Sequence, residues 1–399
     1  MWDFIRDFRR DEKGVAAAIF ALVAVAIFLV AGFALDMQRT VTAETRLQAS
    51  LDAAALAAAK TLENASASDE EIRAVAVSAF AADMLTANTD VHCADPTVTI
   101  DRDGGRVKVA SGCDVETTFA SLIGRDAVSF EDHAMARAAI TELDVAFMLD
   151  VSGSMKGSKL NALKTSASDA IDLLINDTTG DRVRVAFNTY ATSVNAGEYA
   201  EKVMKLPSWM PAKTCVSERA GSAAWSDDAP GLGTWLGLDA WSCPSSSIEP
   251  LTSDAAALKA GIDTLTAGGN TAGHLGVAWA WYLISPEWAD IWPAASRPHA
   301  YGAPNTKKAV VLMTDGVFNT AYVWSLGDSS SQAKKLCEEM RGSDILVYAV
   351  AFDAPKSAQD TLKACAGDAD RYFEAEDGDE LNAAYKAIAS QLTNLSLTE

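Results

Sequence analysis

Three short stretches of this 399-residue chain carry oxygen donors at places where a fold can bring them together. Asp150-Val151-Ser152-Gly153-Ser154 is an Asp-x-Ser-x-Ser run directly after an apolar segment, and Thr314-Asp315-Gly316 directly follows another. Between them in sequence lies Gly268-Gly269-Asn270-Thr271-Ala272-Gly273, a loop leading into a helical pattern. If these stretches meet, Asp150, Ser152, Ser154, Thr271 and Asp315 offer two carboxylates and three neutral hydroxyls. An all-oxygen set of this kind suits a hard divalent cation, Mg²⁺ foremost. With so few anionic ligands the ion would keep net positive charge and an open coordination position. An acidic side chain of a protein partner could fill that position. The softer groups nearby are only Met155, Met313 and His274.

Other chemistries lack their patterns. Ser154 has no G-x-S-x-G elbow, and no His stands at a spacing that links it to Ser and Asp as a triad. The stretch Gly153 to Lys159 does not give the order of a phosphate-binding loop. No carboxylate pair stands out as an acid/base couple, so a non-enzymatic binding role is expected.

The elements that must position these residues alternate. Val145–Leu149, Ala309–Met313 and Ile345–Ala351 are short continuous apolar runs, and Val183–Phe187 is a weaker fourth. Such runs suit parallel strands covered on both faces. Helical patterns fit between and after them at Ser158–Ile175, Ala255–Leu265, Ala272–Ile284, Ser331–Arg341 and Glu380–Leu395. The alternation predicts a doubly wound α/β domain, whose ligands gather at the carboxyl ends of the strands.

The ordered set Asp150-x-Ser152-x-Ser154, Thr271, Asp315 resembles the metal-ion-dependent adhesion site of von Willebrand factor A domains, over about Leu143–Leu395. The resemblance implies a mostly parallel sheet in which Asp150, Ser152, Ser154 and Thr271 hold the ion, directly or through water. Asp315 would stand close by, largely outside direct ligation. Two stretches exceed a minimal domain of this type. Residues 205–250 contain Trp209, Trp225, Trp235, Trp241, Cys215 and Cys243, and 285–304 contain Trp288 and Trp292. By the family topology both would lie at the end of the sheet away from the metal. Their Trp residues are expected mainly in a disulfide-stapled core, with an exposed aromatic patch as the alternative.

The first sixty residues are of another kind. Gly14 to Leu35 is an uncharged run of 22 residues, GVAAAIFALVAVAIFLVAGFAL. As a helix it spans about 33 Å, enough for a bilayer core. It exceeds the apolar region of an ordinary signal peptide, so a retained anchor is expected, with cleavage after Gly32-Phe33-Ala34 as the alternative. Arg6, Arg9, Arg10 and Lys13 precede the run and only Arg39 and Arg46 closely follow it. The positive-inside rule then places residues 1–13 in the cytoplasm and everything after Leu35 outside. Beyond the run the helix should continue, with Leu47, Leu51, Ala54 and Ala58 on one stripe. Ser68-Asp69-Glu70-Glu71 reads as the capping box of a second helix to about Leu85. Val98–Arg102 and Arg106–Ala110 flank an Asp103-Gly104-Gly105 turn as a hairpin, and Val128–Ile140 adds a strand.

The segment from Phe8 to Ala59, ending in Asp52-Ala53-Ala54-Ala55-Leu56-Ala57-Ala58-Ala59, resembles the N-terminus of TadE/TadG-like proteins of Flp (Tad) pilus assembly. Those begin with basic residues, a Gly, an apolar run and an Asp near its end. Their prepilin-like members carry Glu five residues after the cleaved Gly, where this chain has Ile19. The departure speaks against processing as a pilin subunit.

A formal charge of −21 excludes a general nucleic-acid binder, which needs a basic surface to displace counterions. Six cysteines without a C-x-x-C pair suit an oxidising compartment and allow 15 connectivities, of which sequential pairing is simplest. Cys93 and Cys113 flank the hairpin almost symmetrically, which brings that pair together. The expected organisation is a cytoplasmic tail (1–13), a transmembrane helix (14–35), a TadE/TadG-like helix with a small α+β region (36–140) and an A domain (141–399). Two roles fit: as the TadE/TadG-like resemblance implies, a bacterial inner-membrane component of Flp/Tad pilus assembly or secretion with the bulk of the chain periplasmic, partnered by that machinery; or a cell-surface adhesin binding host matrix or another extracellular protein.

Overall fold

The computed structural model describes residues 13–84, 91–102, 104–138, 141–207 and 211–395. The chain divides into two compact units, Met1–Ala138 and Ala139–Glu399.

In the first unit, helix α1 (Lys13–Leu62) runs 50 residues without a break, so the apolar run and the Ala-rich segment are one element. Phe20, Leu22, Phe28, Val30 and Phe33 are exposed on it, whereas Leu47, Leu51, Ala54 and Ala58 form the expected buried stripe. That stripe is covered by helix α2 (Asp69–Met84) and an antiparallel sheet. The capping box is present in both directions: Glu71 N donates to Ser68 Oγ (3.2 Å) and Ser68 N to Glu71 Oε2 (2.7 Å). Strand β3 (Arg106–Glu116) pairs with β2 (Thr97–Asp101) on one side of its first half and with β1 (Val91–Cys93) beyond it. Along its other side lies β4 (Ala127–Arg137). Val107, Val109, Cys113 and Val115 alternate inward, the period-2 pattern of a sheet with one buried face. Cys93 stands opposite Cys113 in register and is disulfide-bonded to it. Leu85, Asp103 and Ile140, at the margins of the expected elements, lie outside the described residues.

The second unit is a doubly wound α/β domain. Its strands are β5 (Glu142–Asp150), β6 (Val183–Tyr190), β7 (Val194–Asn195), β8 (Cys215–Val216), β9 (Glu249–Thr252), β10 (Thr306–Thr314), β11 (Leu346–Phe352) and β12 (Tyr372–Ala375). Their order is β12-β11-β10-β5-β6-β7-β8, with β9 also against β6. From β12 to β6 all pairs are parallel, while β7, β8 and β9 pair antiparallel at one edge. Alternate residues of β5 enter opposite cores. Val145, Phe147 and Leu149 pack with helices α3 (Ser158–Leu174), α4 (Ala255–Asp263) and α8 (Gly378–Leu395). Ala146 and Met148 pack with α5 (Gly273–Ile284), α6 (Ser329–Gly342) and α7 (Lys356–Ala366). Burial on both faces is why these strands read as continuous apolar runs.

The placement of the first insertion differs from expectation. Strand β9 runs antiparallel beside β6, Phe187 opposite Glu249 and Val185 opposite Thr252. The connection between them therefore begins at the carboxyl end of β6, the end that carries Asp150, and not at the far end. The 285–304 stretch follows α5 to the opposite end, as expected. The two stretches nevertheless meet: Trp288 Nε1 donates to Asp227 O (3.0 Å), and Arg219 stacks over Tyr282 and Trp288. Trp288 and Trp292 are buried, Trp225 and Trp235 half-buried, and Trp241 is 68% exposed. Trp209 lies outside the described residues. The other disulfides, Cys215–Cys243 and Cys337–Cys365, complete the sequential pairing.

Candidate metal centre

The three oxygen-bearing stretches converge at the carboxyl ends of β5 and β10. Asp150, the last residue of β5, is fully buried. Its Oδ1 accepts Ser152 N (2.8 Å), and its Oδ2 accepts Thr314 Oγ1 (2.6 Å) and Tyr190 OH (3.0 Å). Burial pushes the carboxyl above its ordinary range, and the nearby Asp315 charge acts in the same direction, against these hydrogen bonds. Tyr190 stands level with Asp150 in the β5–β6 register, which is what delivers its phenol.

Ser152 Oγ and Ser154 Oγ are 3.1 Å apart, and Ser154 Oγ donates to Asp315 Oδ1 (2.6 Å). The other Asp315 oxygen accepts Lys159 Nζ (3.0 Å), which also pairs with Asp353 at 3.0 Å. Partial burial opposes the Lys159 charge, but the two carboxylates outweigh it and raise its pKa.

The Thr271 loop is clamped to the Asp150 loop through backbone. Gly153 N donates to Gly269 O (3.0 Å) and Gly268 N to Val151 O (2.8 Å). Gly269 has φ +85°, and a Cβ there would collide with Thr192, so only glycine makes this approach. Thr271 N donates to Asn319 Oδ1 (3.0 Å), and Asn319 N returns a bond to Thr271 O (2.8 Å). These bonds tie the Thr271 loop to the segment beyond Asp315.

The donor set fits a hard cation. Asp150, Ser152, Thr271 and Asp315 are buried, while Ser154 faces outward. Among the described residues no cluster of three or more His, Cys, Asp or Glu is present, so any cation site here depends on the hydroxyls. Both Asp315 oxygens are engaged by protein donors, in keeping with a place beside an ion rather than on it.

Several residues around the site carry no motif. Lys159, Tyr190 and Asn319 are legible only once the strands are in register. Glu218, from the first insertion, uses Oε1 to accept Tyr322 N (2.5 Å) and Val323 N (2.7 Å), past the Asp315 loop. Its Oε2 lies 3.4 Å from His274 Nε2, on the helix that starts after Thr271. Burial opposes the Glu218 charge, but His274 and the Val323 amide outweigh it and hold the carboxyl at about 2.

Residues 14–61 match the family model described as putative Flp pilus-assembly TadE/G-like. No curated protein matches the chain. Among solved structures, the vWF domain of the type V pili tip protein Mfa5 from Porphyromonas gingivalis is 13% identical, TM-score 0.42, over 65% of this chain and 97% of that one. A von Willebrand factor type A protein from Catenulispora acidiphila is 13% identical, TM-score 0.36, over 76% of this chain and 50% of that one. Proximal thread matrix protein 1 from mussel byssus, with a zinc-occupied MIDAS motif, is 15% identical, TM-score 0.35, over 63% and 46%. The strand order and the loops at the strand ends, rather than these partial overlaps, make the second unit a von Willebrand factor A-like domain. The chain thus joins a TadE/G-like N-terminal region to an A-like α/β domain.

Proposed function

We propose that this is a membrane-anchored periplasmic component of Flp/Tad pilus assembly or secretion. Its A-like domain captures a protein partner through a divalent cation, Mg²⁺ foremost. Asp150, Ser152, Ser154 and Thr271 hold the ion, and Asp315 orients Ser154 beside it. The observation that carries the binding role is the convergence of Asp150, Ser152, Ser154 and Asp315 within one hydrogen-bonded cluster, with the Thr271 loop clamped against it. A bound cation would supply Lewis acidity toward a partner carboxylate; the chain's part is to hold the donors in place and leave Ser154 accessible.

For location, α1 is the one described helix long and apolar enough to cross a membrane. Three disulfides support an oxidising compartment. Retention of the apolar run is supported by Gly32, which the first unit uses in packing against Phe119. Orientation with the N-terminus in the cytoplasm follows the positive-inside count.

The test combines titration and genetics. Mg²⁺ titrated calorimetrically into the detergent-solubilised chain should give saturable binding that Asp150→Asn abolishes. Deleting the gene should abolish pilus assembly. Intact pili with lost attachment to an extracellular protein would favour the adhesin role instead.

A further inference from the structure

We propose that the turn Ala120–Ile123 is a second membrane contact, placing Leu122 and Ile123 in the headgroup–acyl boundary of the bilayer beside the apolar helix. This rests on the anchor reading above. The turn belongs to the connection between β3 and β4 and is tied to α1 by contacts ordered along the helix axis. Arg39 donates to Thr118 Oγ1 (3.1 Å). One turn closer to the apolar run, the Asp36 carboxylate accepts three consecutive amides: Thr118 N (3.0 Å), Phe119 N (2.8 Å) and Ala120 N (2.8 Å). One further turn back, Gly32 lies against the Phe119 ring, where any Cβ would collide.

The connection therefore advances from the polar part of α1 into the level of the apolar run and turns there. At the tip Leu122 is 72% and Ile123 73% exposed, like Phe28 (73%) and Val30 (71%) on the helix. Polar backbone is no obstacle at that depth, because Asp36 satisfies three of the turn's approaching amides and Gly124 N donates to Ser121 O (3.0 Å). Arg39 on the helix and the exposed Arg125 after the turn stand where lipid phosphates would be. Two adjacent large apolar side chains, continuous with an apolar helix surface and bordered by arginines, fit a lipid boundary. Asp36, just past the end of the apolar run, thus docks the turn against the helix.

The experiment uses the full chain in phosphatidylethanolamine/phosphatidylglycerol vesicles, with an environment-sensitive fluorophore on single introduced cysteines. The variants are Leu122→Cys, Ile123→Cys, Phe28→Cys as the span reference and Lys108→Cys on the exposed sheet face. Lipid-borne quenchers should quench labels at 122 and 123 about fivefold more than at 108, and about as strongly as at 28. Adding Asp36→Ala should lower quenching at 123 while leaving 28 unchanged. Labels at 122 and 123 that behave like 108, with 28 quenched, would overturn the contact and leave the anchor standing. An unquenched label at 28 would overturn both.

Discussion

Ser154 Oγ donates to Asp315 Oδ1 across 2.6 Å, although 161 residues separate them in the chain. The first and last sequence elements of the candidate centre are therefore joined by a direct side-chain hydrogen bond, and part of the cost of bringing them together is met on folding.

A first prediction concerns Asp150. Asn is isosteric and keeps an acceptor for Ser152 N, so Asp150→Asn should fold and lose at least about tenfold in Mg²⁺ affinity, read by calorimetry. Asp150→Ala should in addition cost about 1–3 kcal/mol, read in urea melts, because the Thr314 and Tyr190 hydroxyls lose a buried acceptor. Tyr190 retains Met313 O at 3.2 Å, which keeps the loss toward the lower end.

Lys159 gives a prediction of the opposite sign. Its ammonium neutralises Asp315 and Asp353 beside the cluster. Lys159→Met should leave that charge uncompensated and tighten Mg²⁺ binding by roughly fivefold, about 1 kcal/mol for a half-screened charge. Unchanged affinity would place the ion elsewhere.

Acid stability should be set partly by two buried carboxyls. Burial would raise Asp144, but a His299 hydrogen bond and the charges of Lys308 and Arg184 hold it far below its ordinary range. Glu218 is held at about 2. Folded values below unfolded ones mean that the stabilisation is full above about pH 4–5 and is lost as pH falls toward the folded values. Thermal melts at pH 6, 4 and 2.5 should show this fall, and Glu218→Gln should flatten it by roughly 2 kcal/mol over that range.

The buried pair Cys337–Cys365 joins α6 to α7 and closes a separation of 28 residues. Replacing both with Ala should cost about 3.5 kcal/mol by loop entropy. The loss should appear as a lower urea midpoint without a change in Mg²⁺ affinity, since Cys337 and Cys365 lie about two turns into helices that approach the candidate centre only at their starts, through Ser329 and Asp353.

Much of the fold is legible where apolar periodicity and turn chemistry agree locally. The stripe Leu47, Leu51, Ala54, Ala58, the Ser68–Glu71 box and the four central strands of the second unit follow from such patterns. Helix Lys356–Ala366 and strand Tyr372–Ala375 do not, because a polar helix face and a four-residue edge strand carry little periodic signal. Tyr190 is hidden by one short element: the apolar pattern Val183–Phe187 ends three residues before the strand does, and those residues bring Tyr190 level with Asp150. The end of the sheet from which the first insertion leaves is not legible either, because strand direction at a sheet edge is not written in composition; Phe187 opposite Glu249 settles it.

Helix α1 passes from its apolar part into the packed core of the first unit with no hinge in 50 residues, about 75 Å of rod. If the apolar part lies in a bilayer, as proposed above, the first unit could not roll or nod without that part turning with it. A pull on the unit would then reach the bilayer as torque and tilt, with no slack segment to absorb it. A helix-breaking proline between Asp36 and Leu47 would convert this stiff lever into a loose leash.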